Sequence, residues 1–429
     1  MNTAAPLSAS VIHAPLNFDT KGLGAAPEGC TLAQLKNLQW RILDDEVSLP
    51  VAVLRESCIE HNLRWMQSFM ARYGVKLAPH GKTTMSPALF HRQLAHGAWG
   101  ITLATASQVN AAHRHGVRRI LMANQLVGRG NMALIARIQS QDPDFSFCCI
   151  VDSAANIDAL GHFFTEVGQR LRVLIEYGVP GGRTGVRDEV QEAECLAALA
   201  RWPRALALVG VEVYEGVLQK SDEIRDFLQR VLERTRALAS QQRFAEDTVL
   251  LSGAGSAWFD VVAEVFSHQD LGCRLEVVLR PGCYLTHDVG IYRQAERRIR
   301  ADNPVAREMG QSLLPALQLC AHVQSLPEPG RAIVALGKRD AAFDAGLPTV
   351  SLQARPGGFA GVRPAPDDWQ LTAMMDQHAF MSVPEGADLK VGDILIFDIS
   401  HPCLTFDKWR QLLLVDEHYQ VLGAVETLF

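Results

Sequence analysis

Three short stretches carry side chains whose type and spacing suit chemistry. The first is Ala78-Pro79-His80-Gly81-Lys82-Thr83-Thr84, which follows the apolar run Val75-Lys76-Leu77 and precedes a helical pattern from Pro87 to Leu94. A lysine leaving a strand into a buried mouth loses hydration. That lowers its pKa and lets the amine condense with a carbonyl and shuttle a proton. The second is the Gly/Ser turn Ser252-Gly253-Ala254-Gly255-Ser256, with Arg280-Pro281-Gly282-Cys283-Tyr284 after it. A turn that opens a helix presents free backbone N–H groups and the positive end of the helix dipole, which favours an anion. The third is His401-Pro402-Cys403, just after the apolar run Ile394-Leu395-Ile396-Phe397-Asp398. In extended backbone, residues i and i+2 point to the same side, so the imidazole and thiolate can grip one metal ion. That pair is borderline-soft and suits Zn²⁺, with positions left open for water or substrate. Singly, each stretch has a plainer reading: a solvated loop lysine, an ordinary turn, and a structural cysteine near a loop histidine.

What turns these fragments into one site is the rhythm of the chain around them. Eight short β runs, each followed by a helix-period segment, read as Val75–Leu77, Ile101–Ala104, Arg119–Ala123, Phe145–Val151, Leu171–Glu176, Leu206–Val213, Thr248–Leu251 and Leu275–Leu279. Continuously apolar strands alternating with helices predict a parallel sheet covered on both faces. The count of eight, and the lack of a Gly-x-Gly-x-x-Gly turn after the first strand, favour a closed (β/α)₈ barrel over a doubly wound sheet.

In such a barrel, function collects at the C-terminal ends of the strands. His80 and Lys82 follow the first strand, Arg183 the fifth, Tyr214 the sixth, Ser252, Gly253, Gly255 and Ser256 the seventh, and Gly282, Cys283 and Tyr284 the eighth. Barrels commonly hold a phosphate at the loops after strands 7 and 8. A lysine on strand 1 facing a phosphate cradle predicts a pyridoxal phosphate enzyme in which Lys82 holds the aldehyde as an imine. Arg183 is placed to reach the pyridine nitrogen. It would leave that nitrogen unprotonated, a weaker electron sink suited to prompt loss of a leaving group. Tyr214 either faces the ring or fills the mouth.

The composition is that of an ordinary globular protein. The 429 residues are 48% hydrophobic and 21% charged, with a formal net charge of −6. The absence of a basic excess argues against nucleic acid as partner, and no run of about 18 apolar residues predicts a membrane span. The N-terminus lacks a basic, then apolar, secretory pattern. Nine cysteines, odd in number and irregularly spaced, argue against a disulfide framework and for a reduced, cytoplasmic setting. Residues 1–48 read as an extended arm plus a short helix starting near Thr31, where Leu32, Leu35 and Leu38 recur. Residues 49–300 read as the cofactor-binding barrel, and 301–429 as a C-terminal all-β domain without helices. Its strands are expected at Cys320–Val323, Ala332–Ala335, Val350–Gln353 and Ile394–Phe397.

From Leu49 to Phe429 the chain resembles the fold-type III pyridoxal phosphate enzymes. Within them it resembles the D-serine dehydratase and D-threonine aldolase group, and in detail bacterial proteins described as D-serine deaminases. The pieces that carry the likeness are Pro79-His80-Gly81-Lys82-Thr83, Arg183-Thr184-Gly185, Arg280-Pro281-Gly282-Cys283-Tyr284 and His401-Pro402-Cys403. The resemblance implies an alanine-racemase-like barrel, a C-terminal β domain, and a homodimer with its site near the subunit interface. It implies that Lys82 binds the cofactor aldehyde, that Tyr284 and the Gly/Ser loop bind the phosphate, and that His401 and Cys403 hold a divalent metal beside the substrate's β-hydroxyl. Aldolases of the group look to carry His-x-Asp at the metal and dehydratases His-x-Cys, so His401-Pro402-Cys403 points to elimination. Two positions depart from the group's Arg-Pro-His-x-Lys-Thr-His, where Ala78 and Thr84 stand here. Asp376-Gln377-His378 resembles a Glu-Glu-His element of the β domain.

The expectation is a dehydratase of a β-hydroxy D-amino acid, D-serine above others, releasing pyruvate and ammonia. Lys82 would act as the Cα base and the metal would act on the hydroxyl. The alternatives are a metal-dependent D-threonine aldolase, a non-catalytic carrier of the cofactor, and a racemase. A racemase needs a second acid/base group and has no use for the metal.

Overall fold

The computed structural model describes residues 21–24, 27–358 and 361–429, so most of the expected arm lies outside the described residues. The short helix begins where Thr31 places it. The Thr31 N–H donates to Gln34 Oε1 at 2.9 Å, a reciprocal cap, and helix Leu32–Leu35 runs into a 3₁₀ turn at Lys36–Leu38.

The strands are β1 (Val51–Arg55), then β2 (Lys76–Leu77), β3 (Ile101–Leu103), β4 (Arg119–Gln125), β5 (Ser146–Val151), β6 (Leu171–Tyr177), β7 (Leu206–Val213), β8 (Thr248–Gly253) and β9 (Arg274–Leu279). From β2 to β9 they form one eight-stranded sheet in the order β2-β9-β8-β7-β6-β5-β4-β3, and each paired register in it is parallel. The ends meet: the Trp99 N–H donates to Leu77 O (2.6 Å), the Thr102 N–H to Pro79 O (2.9 Å), and His80 bridges Thr102. The TIM-like barrel is therefore as the strand count predicts. Alternation along each strand explains the continuous apolarity. Cys148 and Ile150 of β5 join Leu174, Val209 and Leu250 inside the ring, while Cys149 and Val151 pack under the helices. The helices repeat every three to four residues: Ser221–Ser240 buries Ile224, Phe227, Leu228, Val231, Leu232 and Leu238.

The remaining strands are β10 (Leu317–Glu328), β11 (Arg331–Val334), β12 (Thr349–Ala354), β13 (Val362–Pro364), β14 (Gln370–Met374), β15 (Ala379–Ser382), β16 (Ile394–Asp398), β17 (Gln411–Val415) and β18 (Val421–Glu426). They build the second sheet, with the path β13-β12-β16-β10-β1-β17-β18. Two expectations change. Val51–Arg55, assigned to the barrel portion by the 49–300 boundary, is an inner strand of this second sheet, antiparallel to β10 and parallel to β17. Both of its faces are apolar, and each meets its own core, which a barrel rim position would not provide. Val51 and Val53 pack with the Leu35 helix, while Ala52 and Leu54 join the main core. Nor is the C-terminal part free of helix, since Pro304–Met309 and Cys403–Phe406 are helical.

Gly210 in β7 lets β8 approach, because a Cβ there would run into the Leu250 carbonyl. Gly210→Ala is expected to cost about 1–3 kcal/mol of stability, read as a lower urea midpoint. A midpoint equal to the parent's would show that the barrel yields at this contact.

Candidate active site

The C-terminal ends of the barrel strands and one loop of the second domain enclose a cavity of about 560 Å³. Into it come His80 and Lys82 after β2, Arg183 after β6, Tyr214 after β7, Gly255 and Ser256 after β8, Gly282 and Cys283 after β9, and His401 and Cys403 from the second domain. Three expected residues are not brought to it. Ser252 is buried in β8, where its hydroxyl donates to Val278 O at 3.0 Å. Gly253 lies against Val213, Val262 and Phe266. Tyr284 is buried and receives a hydrogen bond from Gln93 Nε2 at 3.2 Å. The 3₁₀ turn Cys283–Leu285 brings Cys283 to the cavity, as expected, and turns Tyr284 away from it. His378 is exposed in the turn between β14 and β15 and does not line the cavity.

Lys82 sits in the 3₁₀ turn Gly81–Thr83. A Cβ on Gly81 would come within 2.7 Å of the Phe90 ring and 2.8 Å of Ile101, so only glycine lets the turn lie flat on the barrel. Burial pulls the Lys82 amine below its ordinary value. Cys403 works against this, and Arg183 and Arg280 add to it. Burial, followed by the charges of Lys82, Arg280 and Arg183, keeps His80 neutral; its buried Nδ1 has no partner. Arg183 is exposed at the rim, its guanidinium 4.7 Å from the centre of the Tyr214 ring.

The anion site differs from the sequence expectation. The following helix starts only at Phe259, and the first amides of the turn are not free: Ala254 N–H and Gly255 N–H donate to the buried Glu215 carboxylate at 3.1 and 2.7 Å. A carboxylate is thus already seated where backbone donors converge. On the other side Ser256 Oγ accepts from the Gly282 and Cys283 N–H groups at 3.1 Å each, so these amides too have a partner and the Ser256 hydroxyl is the donor left to face the cavity. Beneath it, Arg280 pairs with Glu212 and donates to Val213 O at 2.9 Å. Burial raises Glu212 to about 8 against the pull of Arg280.

The His401–Cys403 backbone is not extended. Pro402 has helical angles (φ −64, ψ −47) and Cys403 opens a helix, because proline fits at a helix start and cannot donate to a sheet ladder. The two side chains still meet. Hydrogen bonding to Cys403, then to Asp344, raises His401 to about 9 against burial, and His401 Nδ1 lies 2.8 Å from Asp344 Oδ2. Cys403, hydrogen-bonded first by Cys283 and also by His401 and Thr83, is held well below the thiol range.

These residues fit pyridoxal phosphate: an amine of lowered pKa, an anion cradle across the mouth, and buried polar atoms without partners at His80 Nδ1 and Arg280 Nε. For a metal, the imidazole–thiolate pair is a chemically suitable donor set. No group of three His, Cys, Asp or Glu side chains among the described residues is arranged to hold an ion.

Residues 55–285 match the family described as "Alanine racemase, N-terminal domain", and residues 316–415 match "Putative serine dehydratase domain". D-threonine aldolase of Arthrobacter sp is 30% identical over 390 residues, covering 89% of this chain and 92% of that one. The chain belongs to the D-serine dehydratase / D-threonine aldolase family of fold-type III pyridoxal phosphate enzymes. Solved structures of the same fold include D-threonine aldolase from Filomicrobium marinum, with TM-score 0.72 and 22% identity over 89% of this chain and 95% of that one. Another is D-threo-3-hydroxyaspartate dehydratase from Delftia sp. HT23, with TM-score 0.69 and 23% identity over 91% and 99%. That dehydratase has also been solved as a cysteine-to-alanine mutant in the metal-free form.

Sequence reasoning quoted Arg280 within a motif without giving it a role, and passed over Glu212, Glu215 and Asp344. A glutamate near the end of an otherwise apolar strand was a readable signal for Glu212, by the same rim rule that found Tyr214. Asp344 lies 57 residues before His401 in the chain, and nothing local marks it.

Beside this site, Gly290 lets the loop after β9 lie on the His401 loop, since a Cβ there would sit 2.6 Å from Ser400 O. Asp288 caps that turn through Oδ1, which accepts from Gly290 and Tyr292 N–H at 2.8 and 3.0 Å, while Oδ2 has no partner. Burial raises its carboxyl from 3.8 to about 6. Between these values the unfolded chain releases a proton that the folded chain keeps, so this group lowers stability as pH rises. Asp288→Asn retains the cap oxygen. It is expected to match the parent near pH 4 and to exceed it by up to about 3 kcal/mol above pH 6, in thermal melts across that range. A difference independent of pH would refute the raised carboxyl.

Proposed function

We propose that the protein is a pyridoxal phosphate- and metal-dependent dehydratase of a β-hydroxy D-amino acid, D-serine giving pyruvate and ammonia. The observation that carries this reading is the meeting of Lys82 with the His401–Cys403 pair in one cavity built by two domains. A thiolate rather than a carboxylate stands at the metal pair, and a relative of the same fold is named a dehydratase. Bound pyridoxal phosphate supplies an electron sink for the pair left at the substrate's Cα. A divalent ion held by His401 and Cys403, for which zinc is the best match to the donors, supplies Lewis acidity at the β-hydroxyl.

The chain's own residues do the rest. Lys82 Nζ would hold the cofactor aldehyde and is the amine placed to take the Cα proton, burial favouring its neutral form. Ser256 Oγ, which accepts from the Gly282 and Cys283 amides, would turn its hydroxyl to the phosphate, and Glu215 fixes the turn that presents Ser256. Arg183 is assigned to the ring nitrogen and Tyr214 to the mouth beside it. Asp344 orients the His401 ring through Nδ1 and leaves Nε2 for the ion. All nine cysteines are free, in keeping with a reduced cytoplasmic setting. Leu404 and Phe429 line the cavity at 40% and 56% exposure, apolar surface that a second subunit of a homodimer would cover.

A second reading, a retro-aldol enzyme, is favoured by the D-threonine aldolase relative, which covers most of the chain. Product identity separates the two. Purified protein is expected to release 2-oxo acid and ammonia from D-serine. A chelator should abolish this, and Lys82→Ala and Cys403→Ala should each reduce it roughly 10²–10⁴-fold. Glycine and acetaldehyde from D-threonine, with no 2-oxo acid, would replace the dehydratase by the aldolase.

Glu215→Gln puts an amide N–H against the Ala254 or Gly255 N–H. It is expected to weaken cofactor binding about 10–100-fold, measured by absorbance titration, because a charge-assisted hydrogen bond is worth about 1.5–3 kcal/mol. Unchanged affinity would remove Glu215 from the phosphate site.

A further inference from the structure

Cys283 comes from the loop after β9 and Cys403 from the helix after β16, and their sulfurs lie 3.6 Å apart. The Thr83 hydroxyl touches both, at 3.5 Å from Cys403 Sγ and 3.8 Å from Cys283 Sγ. Both are free thiols lining the cavity. Cys283 is buried and Cys403 partly open. A disulfide needs a separation of about 2.05 Å, so side-chain rotation must close roughly 1.5 Å. The sulfurs are thus nearly within bonding reach, and Cys403 is the one a small solute in the cavity meets first.

We propose that Cys283 and Cys403 form an oxidative modification site: a hydroperoxide entering the cavity links their sulfurs as a disulfide and takes Cys403 out of the metal-holding pair. The thiolate of Cys403 attacks the outer oxygen of ROOH. An S–O bond forms, the O–O bond breaks, and alkoxide leaves to be protonated to ROH. Cys283 then attacks the sulfenic sulfur of Cys403. The S–S bond forms, the S–O bond breaks, and the departing hydroxide takes the Cys283 proton as water. In total, two thiols are oxidised, one hydroperoxide is reduced, and a dithiol reductant reverses the change by exchange. The loss of metal binding rests on the reading of His401 and Cys403 given above; the disulfide rests on the two sulfurs alone.

The test treats cofactor-loaded full-length protein, metal-stripped or zinc-reloaded, with hydrogen peroxide and reads intact mass, denatured thiol titre and proteolytic peptides. Metal-stripped protein is expected to lose about 2 Da, to show one peptide joining the segments around positions 283 and 403, and to recover with dithiothreitol. In Cys283→Ser that linked peptide should be absent, and Cys403 should gain about 16 then 32 Da as sulfenic and sulfinic acid. No linked peptide, or a link from Cys403 to another cysteine, would overturn the proposal. Zinc is expected to slow linkage at least about tenfold, since a coordinated thiolate must leave the ion before it reacts. Linkage at the same rate with zinc present would keep the disulfide and refute Cys403 as a metal ligand.

Discussion

Two carboxylates near the end of one strand hold the far side of the mouth in place. Glu212, in β7, takes the Arg280 guanidinium inside the barrel, and Glu215, just beyond the same strand, takes the amides of Ala254 and Gly255. All three side chains are at most 4% exposed. Removing one partner of a buried pair leaves an uncompensated charge and costs about 3–5 kcal/mol. The loops after β8 and β9 are therefore tied to a single strand. Gly282, whose Cβ would meet His80 O at 2.5 Å, then brings the β9 loop against the lysine turn. The Ser256 turn and the amine therefore line the same cavity.

The same crowding sets the charge balance. Lys82, Arg183 and Arg280 are cations around one cavity, and the acidic group nearest Lys82 in effect is Cys403. Burial and the arginines favour the neutral amine, while the thiolate favours the ammonium. On the metal reading proposed for His401 and Cys403, an ion that neutralised the thiolate would remove the opposing pull and so link its occupancy to the basicity of Lys82. His80, kept neutral by the same field, adds no further positive charge to the mouth.

Much of this was legible in the chain. Eight apolar runs at regular spacing yield the barrel, and the rim rule places His80, Lys82, Arg183, Tyr214, Ser256 and Gly282 without a solved relative. What failed has specific causes. Ser252 and Gly253 are still strand at positions where the sequence reads as turn, so their direction follows the pleat and not the mouth. Cys283 reaches the mouth as expected, but Tyr284 does not, because a 3₁₀ turn advances each residue by about 120° and turns it inward, a rotation that no local residue signals. Val51–Arg55 was misplaced because an apolar run before a helix looks the same in either sheet. Only its long-range partners, β10 and β17, decide the matter.

The His401–Cys403 pair and the lysine come from different domains, so their distance depends on how the domains lock together. Asn62, fully buried on the helix Glu56–Tyr73, donates to Leu285 O at 2.9 Å and Leu314 O at 2.8 Å and accepts from Leu314 N–H at 2.8 Å. It thereby pins the end of the β9 loop to the entry of β10. Val289 N–H donates to Ile399 O at 3.1 Å, directly beside His401. These bonds join backbone on both sides of the domain boundary, where a lost hydrogen bond leaves a buried group unsatisfied. β1 adds a covalent link: it is an inner strand of the second sheet, and the helix bearing Asn62 begins at its last residue's neighbour, Glu56. A chain that starts in the second sheet, makes the barrel and returns to that sheet cannot let the two move apart without breaking both cores. The preorganisation of Lys82 against His401 and Cys403 follows from that path.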